Sequence, residues 1–338
     1  MKFSRSVIPA SRVRSLVWHG DVLTDWVNGG WIFRLDGTCQ DPCINWAFPF
    51  DAACATPDGR FAVIYQRCGT KALVLSGTKC LRELNRSFYQ AHVYEYPIAI
   101  WQDPNGRALI AHCPEHYNQI EIEDAQTGER LTQGKRNPID FFHSRLRVNP
   151  AGTRLLSAGW AWHPWNNVLY FDLCDALRNP SRLDKDDNIA PESFNVELAE
   201  HSSACWQTND RVLIGASSEE EDSAEVVETS APELRLRPKG IAVYDVTSRQ
   251  YVKSVVLDEP AGTIMPLGDN HAVCFFKHPR IISLDSGKTI ATCDDLDTGT
   301  QSSSIVWDAK LPVMALDANS RRFAVAGSNE ITVVQIES

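Results

Sequence analysis

Apolar residues in this chain come in short runs separated by polar turns, and one unit recurs seven times: strand, tight turn, apolar strand, loop, strand. The turns fall at His19-Gly20-Asp21, Pro57-Asp58-Gly59-Arg60, Pro104-Asn105-Gly106-Arg107, Pro150-Ala151-Gly152-Thr153, Asn209-Asp210-Arg211, Gly268-Asp269-Asn270 and Asn319-Ser320-Arg321. Proline, asparagine, aspartate and glycine supply the fixed or positive φ that such turns need. The runs that follow, VLTDWV, FAVIY, ALIAH, RLLSAGW, VLIGAS, AVCFF and FAVAG, are too short for helices and rich in strand-forming side chains. A third strand closes each unit (GWIFRL, ALVLS, QIEIED, VLYFDL, GIAVYDV, RIISLD, ITVVQI), and several of these end at Asp before a polar turn such as Asp36-Gly37-Thr38 or Asp285-Ser286-Gly287. Weaker fourth strands follow at CLREL, YVKSVVL and KTIATC, and helical patterning is confined to the neighbourhood of Asp172 to Leu177.

Turn-to-turn spacings of 39, 47, 46, 58, 60 and 50 residues suit a four-stranded sheet with insertions. Such a sheet cannot bury both faces alone, so packing against neighbouring repeats must supply the core. The expectation is an all-β chain: a seven-bladed β-propeller of four-stranded antiparallel blades, one domain over residues 1–338, with insertions at about 178–200 and 217–238. The last repeat has three strands, and the segment Phe3 to Pro9 is expected to supply the missing outer strand and close the ring.

The Pro-Asp-Gly-Arg turn, the strand after it, and the strand ending in Asp before Thr-Gly or Ser-Gly resemble WD40 and YVTN-type propeller repeats over almost the whole chain. Blade four, FFHSRLRVNPAGTRLLSAGWAWHPWNNVLYFDL, is similar to a segment of bacterial WD40-like proteins. The Trp-Asp dipeptide of regular WD40 blades is replaced by Leu35-Asp36, Glu123-Asp124, Tyr244-Asp245 and Leu284-Asp285, and the Gly-His pair is missing. The resemblance therefore implies the fold without the usual Asp–His–Ser/Thr–Trp network, and it carries no activity with it.

Composition narrows the function only slightly. No apolar run approaches a membrane span, and the basic N-terminus lacks a secretory pattern, so a cytoplasmic protein without a membrane partner is expected. The ten cysteines are scattered, which suits reduced thiols better than a disulfide framework. Formal net charge is −10, but the stretch from Glu219 to Glu233 holds seven acids and no base, leaving −3 for the rest. No basic run appears that would neutralise several phosphates, so nucleic acid is not an expected partner.

Propeller topology gathers the loops between second and third strands and between blades on one face around the central channel, where binding residues are expected. Blade four offers Trp160, Trp162, His163 and Trp165, a cluster fitted either to bind a peptide, sugar or planar ligand or to pack an extended loop. His143 and His201 each lie nine residues before a turn, at the expected start of an innermost strand, with Arg145 two residues beyond His143 on the same expected face. This trio suits an anion site, an acid–base pair or plain capping between blades. His112, Arg67 and Lys277, with His278, occupy comparable loops and would add polar or positive groups to that face. His112 and His116 have ligand-like spacing, but Pro114 between them argues against a zinc helix, and no cofactor or metal site is expected. Nor is there a nucleophile elbow or phosphate-binding glycine loop. The function expected is a non-catalytic binding module for a protein or small ligand at the channel face; the alternative is a hydrolase or lyase using His143, His201 and Arg145.

Overall fold

Short strands joined by tight turns form seven antiparallel sheets in sequence order, and the fold is a seven-bladed β-propeller. The computed structural model describes residues 1–162, 165–184, 199–217, 234–306, 309 and 311–337. His163 and the larger parts of both insertions, residues 185–198 and 218–233, lie outside the described residues. The chain divides into two compact units, Met1–Lys135 with Leu311–Ser338, and Arg136–Lys310.

The first unit holds blades seven, one, two and three. Blade one runs Val17–His19, Val22–Asp25, Trp31–Arg34 and Cys39–Gln40; blade two runs Ala52–Ala55, Phe61–Tyr65, Lys71–Ser76 and Lys79–Asn85. Blade three has Ile98–Gln102, Ala108–His112 and Glu121–Asp124, extended outward by a single bridge between Glu123 and Arg130. Blade seven is Met314–Asp317, Arg322–Ala326 and Glu330–Glu337, and its outer strand is the N-terminal Lys2–Pro9, in antiparallel register from Lys2 opposite Glu337 to Pro9 opposite Glu330. The expected completion of the last blade by the N-terminus is thus observed.

Separate apolar layers join these blades. Ile8, Leu16, Leu23 and Phe33 pack with Ala324, Ile331 and Val333 between blades seven and one. Trp26, Val27 and Phe50 meet Ala62, Ile64 and Leu75 between one and two. Phe61, Val63 and Val74 meet Ile98, Ile100 and Ile110 between two and three. A charged clamp adds to the first layer: Arg322 donates to Asp317 (Nε, 2.9 Å), to Asp21 (Nη1, 2.8 Å) and to the Gly20 carbonyl, with its guanidinium 4.1 Å from the Trp18 ring centroid.

The second unit holds blades four, five and six. Blade four contains Arg147–Val148, Arg154–Ala161 and Trp165–Asp172, followed by the short helix Leu173–Arg178 that begins on an Asp172 cap. Blade five is His201–Trp206, Arg211–Ala216, Gly240–Asp245 and Gln250–Val256; blade six is Ile264–Pro266, His271–Cys274, Arg280–Ser283 and Thr289–Thr292. The run Arg211–Ala216 shows why inner strands are apolar throughout. Val212, Ile214 and Ala216 face Leu156, Val168 and Tyr170 of blade four, whereas Leu213 faces Ile264, Ala272 and Ile282 of blade six. Alternate side chains thus enter different cores, and neither face is left for water.

The aspartates that end third strands fasten their own turns. Asp124 Oδ1 accepts from the Thr127 amide (2.7 Å) and hydroxyl (3.0 Å), while its Oδ2 accepts from Arg107 Nε at 2.6 Å. Burial alone would raise the Asp124 pKa, but the hydrogen bonds from Arg107 and Thr127 outweigh it and hold the carboxyl below its ordinary value. Asp245 serves Thr247 and Ser248 in the same way, with Arg211 at 3.7 Å. An Asp–Arg pair across a hairpin thus stands in blades three and five.

Candidate functional site

In blade four the expected cluster of tryptophans is split between interior and surface. Trp160 lies inside the strand Arg154–Ala161 and is buried, Trp165 opens the next strand half-buried, and Trp162 at the hairpin tip is 43% exposed. A residue outside the expected set, Phe142, makes this arrangement. Its ring stacks on Trp160 with centroids 3.8 Å apart and planes 3° from parallel, and Trp162 stands edge-on to both rings at 5.4 Å. Backbone bonds in both directions, Phe142 amide to Trp160 carbonyl (2.8 Å) and the reverse (3.2 Å), hold the segment against the strand. Gly159 permits that approach, because a Cβ there would sit 2.0 Å from the Phe142 carbonyl oxygen. The result is a rigid aromatic ledge with one indole presented to solvent.

Beside the ledge, Asn166 donates from its amide (2.9 Å) and its side chain (2.5 Å) to Glu200 Oε2 and accepts from Ser303 Oγ at 2.8 Å. This ties the chain that follows blade six to the blade-four hairpin. The two histidines lie deeper. His143 is 1% exposed, with Nδ1 3.1 Å from Ser157 Oγ and its ring against Phe141 and Phe171. His201 does begin an innermost strand, but it is 3% exposed and its Nε2 lies 3.0 Å from the Tyr251 hydroxyl. The innermost strand of blade four starts only at Arg147, because Arg145 adopts φ +44° and turns the chain. Arg145 therefore does not continue a strand face from His143; it donates to the Ser202 carbonyl at 2.8 Å, linking blades four and five. Lys277 is exposed but pairs with Glu259 at 2.5 Å, and His278 Nδ1 lies 3.0 Å from the Leu296 carbonyl, so neither offers an unmatched charge to a ligand.

Two expected residues belong to the first unit. Arg67 is half-buried in the turn between the second and third strands of blade two, its amide donating to Asp51 Oδ1 (2.7 Å) and its carbonyl accepting from Tyr96 (2.7 Å). His112 ends a strand rather than lying in a loop; it is buried with Nε2 3.5 Å from Glu123, which Arg82 also contacts. Burial pushes the Glu123 pKa up, yet His112 and Arg82 together bring it below the ordinary value.

No family model matches the chain, and no curated protein matches it in sequence. Among solved structures, a chain from a crystal structure of the mitotic checkpoint complex aligns over 100% of this chain and 95% of its own length, with a TM-score of 0.61 and 12% identity. That likeness is one of fold. With 998 solved chains similar to this one, the propeller by itself narrows the function very little.

What distinguishes this propeller is therefore its surface chemistry. Among the described residues no group of three or more His, Cys, Asp or Glu side chains is arranged to hold a metal ion, and no helix is long and apolar enough to cross a membrane. Burial pushes the thiols of Cys54, Cys205 and Cys274 up to about 12, which keeps them protonated and poorly nucleophilic. Phe142 was legible only as an apolar residue beside His143; its role depends on a contact with Trp160 that no local spacing signals.

Proposed function

We propose that the chain is a single β-propeller domain of the WD40-like kind found in bacteria, working in the cytoplasm as a non-catalytic interaction module that docks a protein partner on the loops of blade four. The observation that carries this reading is Trp162, exposed on a prebuilt support of Phe142 and Trp160. An indole held in place before binding loses little side-chain entropy on contact and offers both apolar area and an N–H donor, the properties of interface hot spots. The hydrogen-bonded Asn166, Glu200 and Ser303 form a polar rim next to it. The fold likeness to a chain of a multiprotein complex agrees with a docking role. His143, His201 and Arg145 enter as structural links, since both imidazoles are covered and Arg145 is spent on a carbonyl of the next blade.

The test is partner capture from native extract by the wild-type chain and by Trp162→Ala. Loss of a hot-spot tryptophan is expected to weaken binding by about 2 kcal/mol or more, roughly thirtyfold, with the melting temperature unchanged. Equal recovery of the same partner by both proteins would remove the ledge from the interface.

A further inference from the structure

Blade three carries a second, chemically different surface. Its loop between the strands Ala108–His112 and Glu121–Asp124 borders an open cleft of about 620 Å³, lined among others by Glu115, Gln119, Glu121, Glu129, Arg130 and Gln133. That volume lies in the range of about 300–1,000 Å³ typical of ligand-sized sites. The lining holds three carboxyl groups against one guanidinium. Arg130 is drawn to Glu115 at 2.7 Å, and Arg107 approaches Glu129 only at 3.4 Å while its closer partner is Asp124 at 2.6 Å. Glu121, at the buried end, is oriented by Gln119 Nε2 and Thr132 Oγ1, both at 2.6 Å.

The same loop has an aromatic side. Tyr117, two residues beyond Glu115, packs on Tyr89 with ring centroids 5.2 Å apart, and next to Tyr89 stands Phe88, 86% exposed and the most exposed large hydrophobic side chain among the described residues. The segment bearing Phe88 and Tyr89 is fixed from below by Arg86, which donates to the carbonyls of Gly69, Ala91 and Tyr94 and lies over the rings of Tyr94 and Tyr96. Phe88 therefore projects from a braced loop rather than a loose one. The loop that lends Glu115 to the carboxylate-rich cleft thus also reaches, through the Tyr117–Tyr89 pair, the exposed phenyl group of Phe88, and the two together are complementary to a cationic side chain and an apolar one on the same extended segment.

We propose that this cleft receives an arginine or lysine side chain from an extended segment of a partner protein, with a neighbouring apolar side chain of that segment laid on Phe88. The proposal rests on the reading of the chain as an interaction module but uses residues other than those of the blade-four ledge.

It is tested by fluorescence anisotropy of the full chain with a labelled Gly-Ser-Leu-Arg-Leu-Arg-Ser-Gly peptide and two matched peptides, one with Glu for Arg and one with Ser for Leu. Only the first should bind, and binding should weaken as salt is raised. Phe88→Ser and the double change Glu115→Gln, Glu129→Gln should each weaken it by about tenfold. All three substituted positions, Phe88, Glu115 and Glu129, are exposed, so unchanged melting curves will separate binding loss from misfolding. Neutralising Glu219, Glu220 and Glu221 to Gln should leave binding intact. No binding of the first peptide, equal binding of the Ser-for-Leu peptide, or equal loss in the Glu219–Glu221 variant would overturn the proposal, the last two reducing it to diffuse attraction by an acidic protein. Loss in Trp162→Ala with no change in the cleft variants would place the peptide on blade four, leaving the docking reading intact and this one refuted.

Discussion

The imidazole of His19 shows how one side chain makes stability depend on pH. Its Nε2 accepts a hydrogen bond from Trp26 Nε1 at 3.0 Å, with the rings edge-to-face, so the contact requires the neutral form. Burial lowers the His19 pKa from 6.5, and the pull of Asp58 and the carbonyls of Thr56 and Pro57 in the other direction does not cancel it. Below about pH 6.5 the unfolded chain binds a proton that the folded chain refuses, so this contribution is present above 6.5 and is lost as pH falls through the folded value. Urea midpoints at pH 7 and pH 5.5 should therefore fall more for the wild type than for His19→Gln, whose amide does not titrate. Parallel shifts in the two proteins would assign the acid sensitivity to other groups. The Asp124 and Glu123 carboxyls, both held below their ordinary values, act in the same direction only at lower pH, which keeps the histidine window distinct.

Strands and turns were the most legible level of this molecule, for a physical reason. Each blade is made of neighbours in sequence, so alternation within a run, such as Val212, Leu213 and Ile214, and the turn residues around Gly59 or Gly152 contain most of the information that builds it. The candidate site was less legible because it depends on contacts between runs. Trp160, Trp162 and Trp165 read as one loop cluster, but the paired strands Arg154–Ala161 and Trp165–Asp172 run further toward the hairpin tip than the pattern suggests, and Trp160 is buried against Phe142. Arg145 read as part of a strand with His143, and its positive φ, invisible in residue type for an arginine, separates them. Phe88 lies in the connection between blades two and three, with no motif around it. The close approach at Gly159 gives a direct test of the ledge: with a Cβ 2.0 Å from the Phe142 carbonyl oxygen, the backbone must move. Gly159→Ala should cost roughly 1–3 kcal/mol and weaken the near-ultraviolet tryptophan dichroism that a fixed Trp160–Trp162 pair produces. A variant with wild-type stability and spectrum would show that the stack is not what fixes the loop.

At the scale of the whole chain, the decisive element is the N-terminal strand, because among the described residues it is the one outer strand supplied from far away in sequence. Lys2–Pro9 covers all eight residues of Glu330–Glu337, a strand whose Ile331, Val333, Val334 and Ile336 are buried. Its own anchoring is slight: Ile8 is fully buried among Leu16, Leu23 and Ile331, Phe3 meets Phe323 edge-on at 6.2 Å, and the Lys2–Glu337 ion pair is exposed and contributes little. Most of what it supplies is the satisfaction of a backbone edge that would otherwise template pairing with another chain. Deleting residues 1–9 should therefore lower the melting temperature and produce self-association beyond that of the wild type, rising with protein concentration, whereas Ile8→Ser, which keeps the strand pairing, should lower the melting temperature and leave the oligomeric state as in the wild type. A synthetic peptide of residues 1–10 added to the truncated chain should reverse both defects, since the edge it covers is otherwise complete. If the truncated chain keeps the wild-type oligomeric state and melts with the wild type, the eight-residue register contributes neither stability nor protection, and the last blade stands on its three internal strands alone.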